Sequence, residues 1–164
     1  MKRGSGRMKK KLPRYLVEMA GVYWTASRLC GEGLIPSIPP RNLPRFDLPV
    51  TSLDGRVHAT VQVKTRATRQ GWIIAWYRKN LRWHVRPNHF YVLVDVSNPE
   101  TTRALVIPSS IVRRSCLSAA RRWTAKKTRA GKKRRPFPLS VNPLRPGWEN
   151  YWERWDLIRG TARR

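Results

Sequence analysis

Apolar residues recur with helical spacing early in the chain and alternate with polar ones in its middle. Over residues 13–30 the positions Glu18, Gly21, Thr25 and Arg28 fall three, four and three residues apart, on one stripe of a helix. Most other positions there are apolar, Tyr15, Leu16, Val17, Met19, Val22, Tyr23, Trp24 and Leu29 among them. A helix buried on most sides is expected. Pro13 suits its first turn, and Gly31 and Gly33 suit its end. Residues 34–38 and 45–51 read as short extended pieces, and Asp54-Gly55 as a two-residue hairpin turn. Residues 57–65 then alternate, with Val57, Ala59, Val61 and Val63 on one face and His58, Thr60, Gln62 and Lys64 on the other.

Residues 71–77 form an apolar run, strand or short helix. Residues 89–96 read as a buried strand and 103–107 as another. Ser109 or Ser110 suits the cap of a helix running to about residue 123. Near the end Trp148, Tyr151, Trp152 and Trp155 fall at i, i+3, i+4 and i+7, one helical face that docks the C-terminal segment. The order helix, strands, helix predicts an α/β or α+β domain with a mixed central sheet flanked by helices.

Charge changes this picture at both ends. The chain of 164 residues has 35 Lys and Arg against nine Asp and Glu, a net charge of +26. Residues 1–13 read as a flexible basic arm and 124–147 as a Lys/Arg-rich loop. The core then spans 14–123, an aromatic helix 148–158, and a basic tail 159–164. From Thr101 to Trp148 there is no acidic residue. Such a charge binds polyanions, and the binding weakens steeply with salt. Nucleic acid, DNA with RNA as a possibility, is the expected partner rather than a membrane surface. Arg121, Arg122, Lys126, Lys127, Arg129, Lys132, Lys133, Arg134 and Arg135 are the expected backbone contacts. No apolar run approaches the roughly 20 residues of a bilayer span, and no signal peptide is expected. Cys30 and Cys116 have neither a disulfide framework nor metal-ligand spacing. A reducing, cytoplasmic setting is expected.

Scarce acids make the few in apolar surroundings informative. Asp47 alternates with Phe46, Leu48 and Val50. If its strand pairs through the Asp54-Gly55 turn, Asp47 shares a face with Gln62 and Lys64, because the side-chain period is two. One surface would then gather a carboxylate, an amide and an ammonium group. Asp47, the Gln62 side-chain oxygen and the Val63 carbonyl could hold a hard divalent cation. Lys64 could orient a water and stabilise charge on a phosphate. Glu18 could add a second carboxylate, and Gly21 a close backbone approach. An ordinary edge strand that shows Gln and Lys to water has the same pattern. His58 shares the Gln62 and Lys64 face and could touch a phosphate, although an ordinary surface histidine has the same pattern. His84 and His89 lack partners at catalytic spacing, and Asp95, at the end of an apolar strand, suits a turn or cap rather than a metal.

Glu18 on a helix, Asp47 on a strand and Gln62-Val63-Lys64 on the next resemble the PD-(D/E)xK nuclease superfamily, with its restriction-endonuclease-like fold. The likeness is to its small prokaryotic branch, with an acid, a spacer, then Asp/Glu/Gln-x-Lys. Ile38-Pro39-Pro40 with Asn42, Pro44-Arg45-Phe46-Asp47-Leu48, Val61-Gln62-Val63-Lys64-Thr65 and Phe90-Tyr91-Val92-Leu93-Val94-Asp95 carry it, across residues 14–122. The resemblance implies a helix–strand–strand–strand–helix–strand core and Mg²⁺- or Mn²⁺-dependent hydrolysis of phosphodiester bonds in DNA. By motif position Asp47 would be the metal ligand, Gln62 the second motif position, Lys64 the catalytic lysine and Glu18 the helix acid. A homodimer is possible, since nucleases that cut both strands often work in pairs. Gln62 is neutral where most members carry a carboxylate, and Pro49 confines its strand to an edge or end. Two alternatives remain open: a catalytically silent nucleic-acid-binding module of this fold, and a basic RNA-binding protein of ribosomal type.

Overall fold

A computed structural model describes residues 12–39, 46–55, 57–68, 70–76, 85–132, 138–142 and 146–163. Its centre is a mixed sheet of five strands, β1 (Ile35–Pro36), β2 (Leu48–Thr51), β3 (Val57–Arg66), β5 (His89–Asp95) and β6 (Arg103–Pro108), adjacent in that order. β3 and β5 run parallel and every other pair is antiparallel. Helix α1 (Arg14–Gly31) covers one face, and α2 (Ser109–Thr124) covers the other beside a two-stranded ribbon of β4 (Trp72–Trp76) and β7 (Pro138–Val141). The mixed sheet between helices follows the expectation. The helix that the resemblance implies between the third and fourth core strands is not among the described residues; β4 occupies part of that stretch, and residues 77–84 lie outside the description. No helix among the described residues is long and apolar enough to cross a membrane.

Alternation along β3 and β5 builds two cores. Ala59, Val61, Val63, Phe90, Val92 and Val94 pack with Ala26 and Leu29 of α1. Tyr91, Leu93, Leu105 and Ile107 pack with Val112, Cys116 and Ala120 of α2, and with Trp72, Leu139 and Val141 of the ribbon. Gln62 and Lys64 therefore face the α2 layer.

The inner face of α1 takes in the middle of its polar stripe, Gly21 and Thr25, while Glu18 and Arg28 at the ends of that stripe are exposed. Gly21, Thr25, Ala26 and Leu29 are buried, whereas Tyr15, Leu16 and Tyr23 are exposed, so the helix is not buried on most sides. Close approach decides the orientation. A Cβ at Gly21 would lie 1.8 Å from Thr65 Oγ1 and 2.9 Å from Thr65 Cβ, so only glycine lets α1 rest there.

Several connections depart from expectation. Ser52 O accepts from Gly55 N at 3.0 Å, with Gly55 at φ +80°. The turn is thus 52–55 in a longer loop between paired Thr51 and Val57. β2 is not an edge strand. Pro49 O accepts from Ser37 N at 2.9 Å, so Pro49's missing donor faces β1, which is only two residues long. Neither serine caps α2. Pro108 holds the N-cap position, and Ser109 Oγ donates to Arg86 O at 3.2 Å.

The 148–158 segment is not one helix. It comprises a 3₁₀ turn (Glu149–Tyr151), Trp152 bridged to Leu105, Glu153 at φ +52°, and α3 (Asp156–Arg159). The four aromatics dock, but on both cores: Trp148, Tyr151 and Trp152 join the α2 side, and Trp155 the α1 side. The chain crosses the edge of β6, where Glu153 N donates to Ala104 O at 2.9 Å and Ala104 N to Glu153 Oε1 at 2.7 Å. That contact protects an otherwise open edge, and a continuous helix could not reach both faces. The expected basic loop 124–147 also contains β7, with Leu139 and Val141 buried.

Candidate functional site

Asp47 sits at the bend that enters β2. Its N–H donates to Val61 O at 2.8 Å, and Leu48 pairs with Val61. β3 therefore runs on past the start of β2. The carboxylate fills the edge that β2 leaves open. Asp47 Oδ2 accepts from Val63 N at 2.7 Å and from Gln62 Nε2 at 2.6 Å. In a strand one residue's N–H and C=O leave on the same side, so Val63 C=O faces this edge too.

Burial pushes the Asp47 carboxyl above its ordinary value. The Val63 N–H, the Lys64 charge and the Gln62 amide act against burial, and the Glu18 charge adds to it. Lys64 and Glu18 thus both act on this carboxylate. Glu18 itself is exposed, and its carboxylate accepts from Arg14 Nε at 2.7 Å. Asp47, Gln62, Val63 and Lys64 come together as expected. Glu18 reaches the same corner without touching them.

The ion pairs among the described residues are Arg14–Glu18, Arg28–Glu153, Arg66–Asp95, Arg154–Asp156 and Arg159–Glu32. Asp47 is in none of them, despite the large excess of cations. A half-buried carboxylate held by an amide and an N–H, with a lysine nearby, marks a functional candidate.

The donors here are all oxygen, which suits a hard cation. Asp47 Oδ1 and the Val63 carbonyl are in place, but Gln62 turns its nitrogen to Asp47. Half a turn of that amide would offer Oε1 while Oδ2 keeps the Val63 bond. No group of three His, Cys, Asp or Glu gathers among the described residues. The set therefore fits a weakly held Mg²⁺ or Mn²⁺ that keeps several waters and takes further oxygens from a phosphate.

Arg121, Arg122, Lys126, Lys127, Arg129 and Lys132 are exposed, the last four around a tight turn closed by Gly131 N to Thr128 O at 2.9 Å. Lys133, Arg134 and Arg135 lie outside the described residues, as do Asn42, Pro44, Arg45 and His84.

Sequence reasoning passed over Arg66, which continues the Gln62–Lys64 period. Arg66 Nη2 donates to Asp95 Oδ2 at 2.5 Å, its guanidinium lies 3.8 Å from the Trp72 ring centre, and Trp72 Nε1 donates to Val94 O at 2.8 Å. This cluster pins β4 over β3 beside the site. Burial raises the Asp95 carboxyl, but hydrogen bonds from Arg66 and Ser97 outweigh it and hold the group below its ordinary value. Asp95 is thus an ion-pair partner. The adjacent arginines Arg113 and Arg114 were also passed over, and both are exposed on α2.

Comparison of the chain with protein-family models, with curated proteins and with solved structures finds no match, so what this corner does has to follow from its own chemistry.

Proposed function

We propose that the protein is a divalent-metal-dependent endonuclease that hydrolyses phosphodiester bonds in DNA, on a restriction-endonuclease-like core. One observation carries the reading: in a chain of charge +26, Asp47 is held by Gln62 and Val63, under the influence of Lys64, and by no salt bridge among the described residues. Asp47, Gln62 and Val63 would hold the cation, with Glu18 adding negative charge from α1. The metal, when bound, supplies a Lewis acid for the scissile phosphate. The Lys64 ammonium orients the attacking water and stabilises charge on the phosphate oxygens. Water adds to phosphorus as the P–O3′ bond breaks, and the proton the water gives up passes through solvent to the departing 3′ oxygen. The basic segments hold the backbone without reading sequence.

The test is nicking of supercoiled plasmid with Mn²⁺ by wild type, Asp47→Ala and Lys64→Ala. Nicking by wild type alone supports the assignment; nicking that survives both substitutions removes it from this corner. A catalytically silent DNA-binding module is the second reading, favoured by the Gln62 amide nitrogen turned to Asp47. It predicts salt-sensitive binding with no metal-induced thermal shift. A shift lost in Asp47→Ala contradicts it.

A further inference from the structure

We infer that the outer face of α2 is a phosphate-binding surface that holds duplex DNA in the same layer as Asp47 and Lys64; this rests on the nucleic-acid reading above. Val112, Cys116 and Ala120 fix the inner face of α2 against the sheet. Arg113, Arg114, Arg121 and Arg122 are therefore turned outward, and all four are exposed. None of them is in a salt bridge among the described residues. Among the described residues Arg122 donates to Ser118, at 2.8 Å. No acid occurs between Thr101 and Trp148 to neutralise them. The complementary partner is a polyanion.

The spacing favours a duplex. Arg113 and Arg121 are eight residues apart, about 12 Å at the helical rise. That is roughly the width of a major groove, so each arginine pair can meet phosphates on one wall. A helix locked by its core holds this separation. A single strand needs aromatic platforms for its bases. Among the described residues the exposed large aromatics are Tyr15, Tyr23 and Trp123. The two tyrosines are on α1, across the sheet, which leaves one aromatic on α2.

Position completes the argument. Gln62 and Lys64 face the α2 layer, and α2 packs over β5 and β6. Strands lie about 4.8 Å apart, so α2, lying over β5 and β6, is roughly 7 Å to the side of β3. A duplex about 20 Å across, judged from its groove dimensions, covers both.

The experiment measures duplex binding by fluorescence anisotropy across a KCl series in EDTA, which separates binding from cleavage. Wild type is compared with Arg113→Gln/Arg114→Gln/Arg121→Gln/Arg122→Gln and with the four-fold Arg→Lys variant. Circular dichroism checks that each folds; the pair Arg113→Gln/Arg114→Gln alone gives a milder second test. The slope of log K against log salt should become shallower by about 3.6 in the four-fold Gln variant, and by half that in the pair, at roughly 0.9 per phosphate contact. The Lys variant should keep the wild-type slope. An unchanged slope in the Gln variants overturns the surface while leaving the nuclease reading intact. Tighter wild-type binding to a single strand than to duplex overturns the choice of duplex. No wild-type binding to any DNA overturns the nucleic-acid reading itself.

Discussion

Gly21→Ala sets two opposed effects against each other. Alanine in mid-helix is worth about 1 kcal/mol over glycine, so an exposed site would gain stability. At Gly21 the new Cβ would lie 1.8 Å from Thr65 Oγ1 and 2.9 Å from both Thr65 Cβ and Cγ2. Rotating the Thr65 side chain cannot clear the contact, because Cβ does not move. α1 must instead back away from β3, and overpacking of this kind costs about 1–3 kcal/mol. With three atoms inside contact distance the cost falls at the upper end. A net loss of about 1–2 kcal/mol follows, or roughly 2–8 °C in Tm for a domain of this size. Thr65→Ala removes a buried hydroxyl with no hydrogen-bond partner, so alone it should be nearly neutral. Combined, the two changes should recover only part of the loss, because alanine removes Oγ1 and Cγ2 but keeps the Cβ at 2.9 Å, a coupling of about 1 kcal/mol. Glu18 lies one turn before Gly21, so Gly21→Ala also draws it from Asp47, and plasmid nicking should fall and return with stability. Urea unfolding of the four proteins measures the cycle. A Gly21→Ala protein more stable than wild type would refute the close approach.

Asp47→Asn should melt at or above wild type at pH 7 while nicking is lost. Its carboxyl ionises at higher pH in the folded chain than in the unfolded one. Wild-type stability therefore falls as pH rises through that interval and stays lower above it. Asparagine removes this dependence and still offers Val63 N–H an acceptor. A marked drop in Tm would assign Asp47 a structural role in capping β3. Gln62→Glu puts a second carboxylate at the 2.6 Å contact, and two such groups cannot both ionise freely. Its metal-free Tm at pH 7 should fall, and its rise with Mn²⁺ should exceed that of wild type; equal responses would count against Gln62 as a metal position. Asp95→Asn strands the Arg66 charge, with side chains only 11% exposed on both partners. It should cost about 3 kcal/mol at pH 7. Because the Asp95 carboxyl is lowered by folding, that stability is present above its unfolded value and lost as pH falls through the folded one. A loss under about 1 kcal/mol in a urea melt would show that the pair adds nothing.

How much of this the sequence disclosed depended on the range of the forces involved. Alternation along 57–65 placed Val61 and Val63 inward and Gln62 and Lys64 on the Asp47 side, because strand period is a local property. The orientation of α1 was not local. Its apolar side chains outnumber what one sheet face can cover, and the Gly21–Thr65 approach, between residues far apart in the chain, selects the inner stripe. The spacing of Trp148, Tyr151, Trp152 and Trp155 suits a helix, but the edge of β6 exposes two cores, and the segment breaks at Glu153 to serve both. β7 escaped notice because four residues among so many basic ones give too short a period. Arg113 and Arg114 were visible as a pair, but their outward direction required the register of α2.

The two layers differ in charge, and this bears on how a metal would be held. Arg28–Glu153 and Arg159–Glu32 tie α1 to the C-terminal segment, so acids there serve as partners for cations. On the α2 side no acid follows Glu100 until Glu149. Asp47 faces this basic layer, and a DNA phosphate drawn there meets an anion. That repulsion disfavours metal-free binding at the corner. A divalent cation reverses it, since the phosphate supplies oxygens that Asp47, Gln62 and Val63 are too few to provide. DNA and metal should therefore bind with positive coupling, and each must raise the affinity of the other by the same factor. Lys64→Ala, expected not to cleave, permits the measurement: DNA affinity with and without Mn²⁺, and Mn²⁺ affinity with and without DNA. Asp47→Asn should abolish the coupling and bind DNA more tightly than wild type without metal. If Mn²⁺ weakens DNA binding in Lys64→Ala as mere ionic strength does, Asp47 is no metal ligand, and the corner is an edge cap on β3.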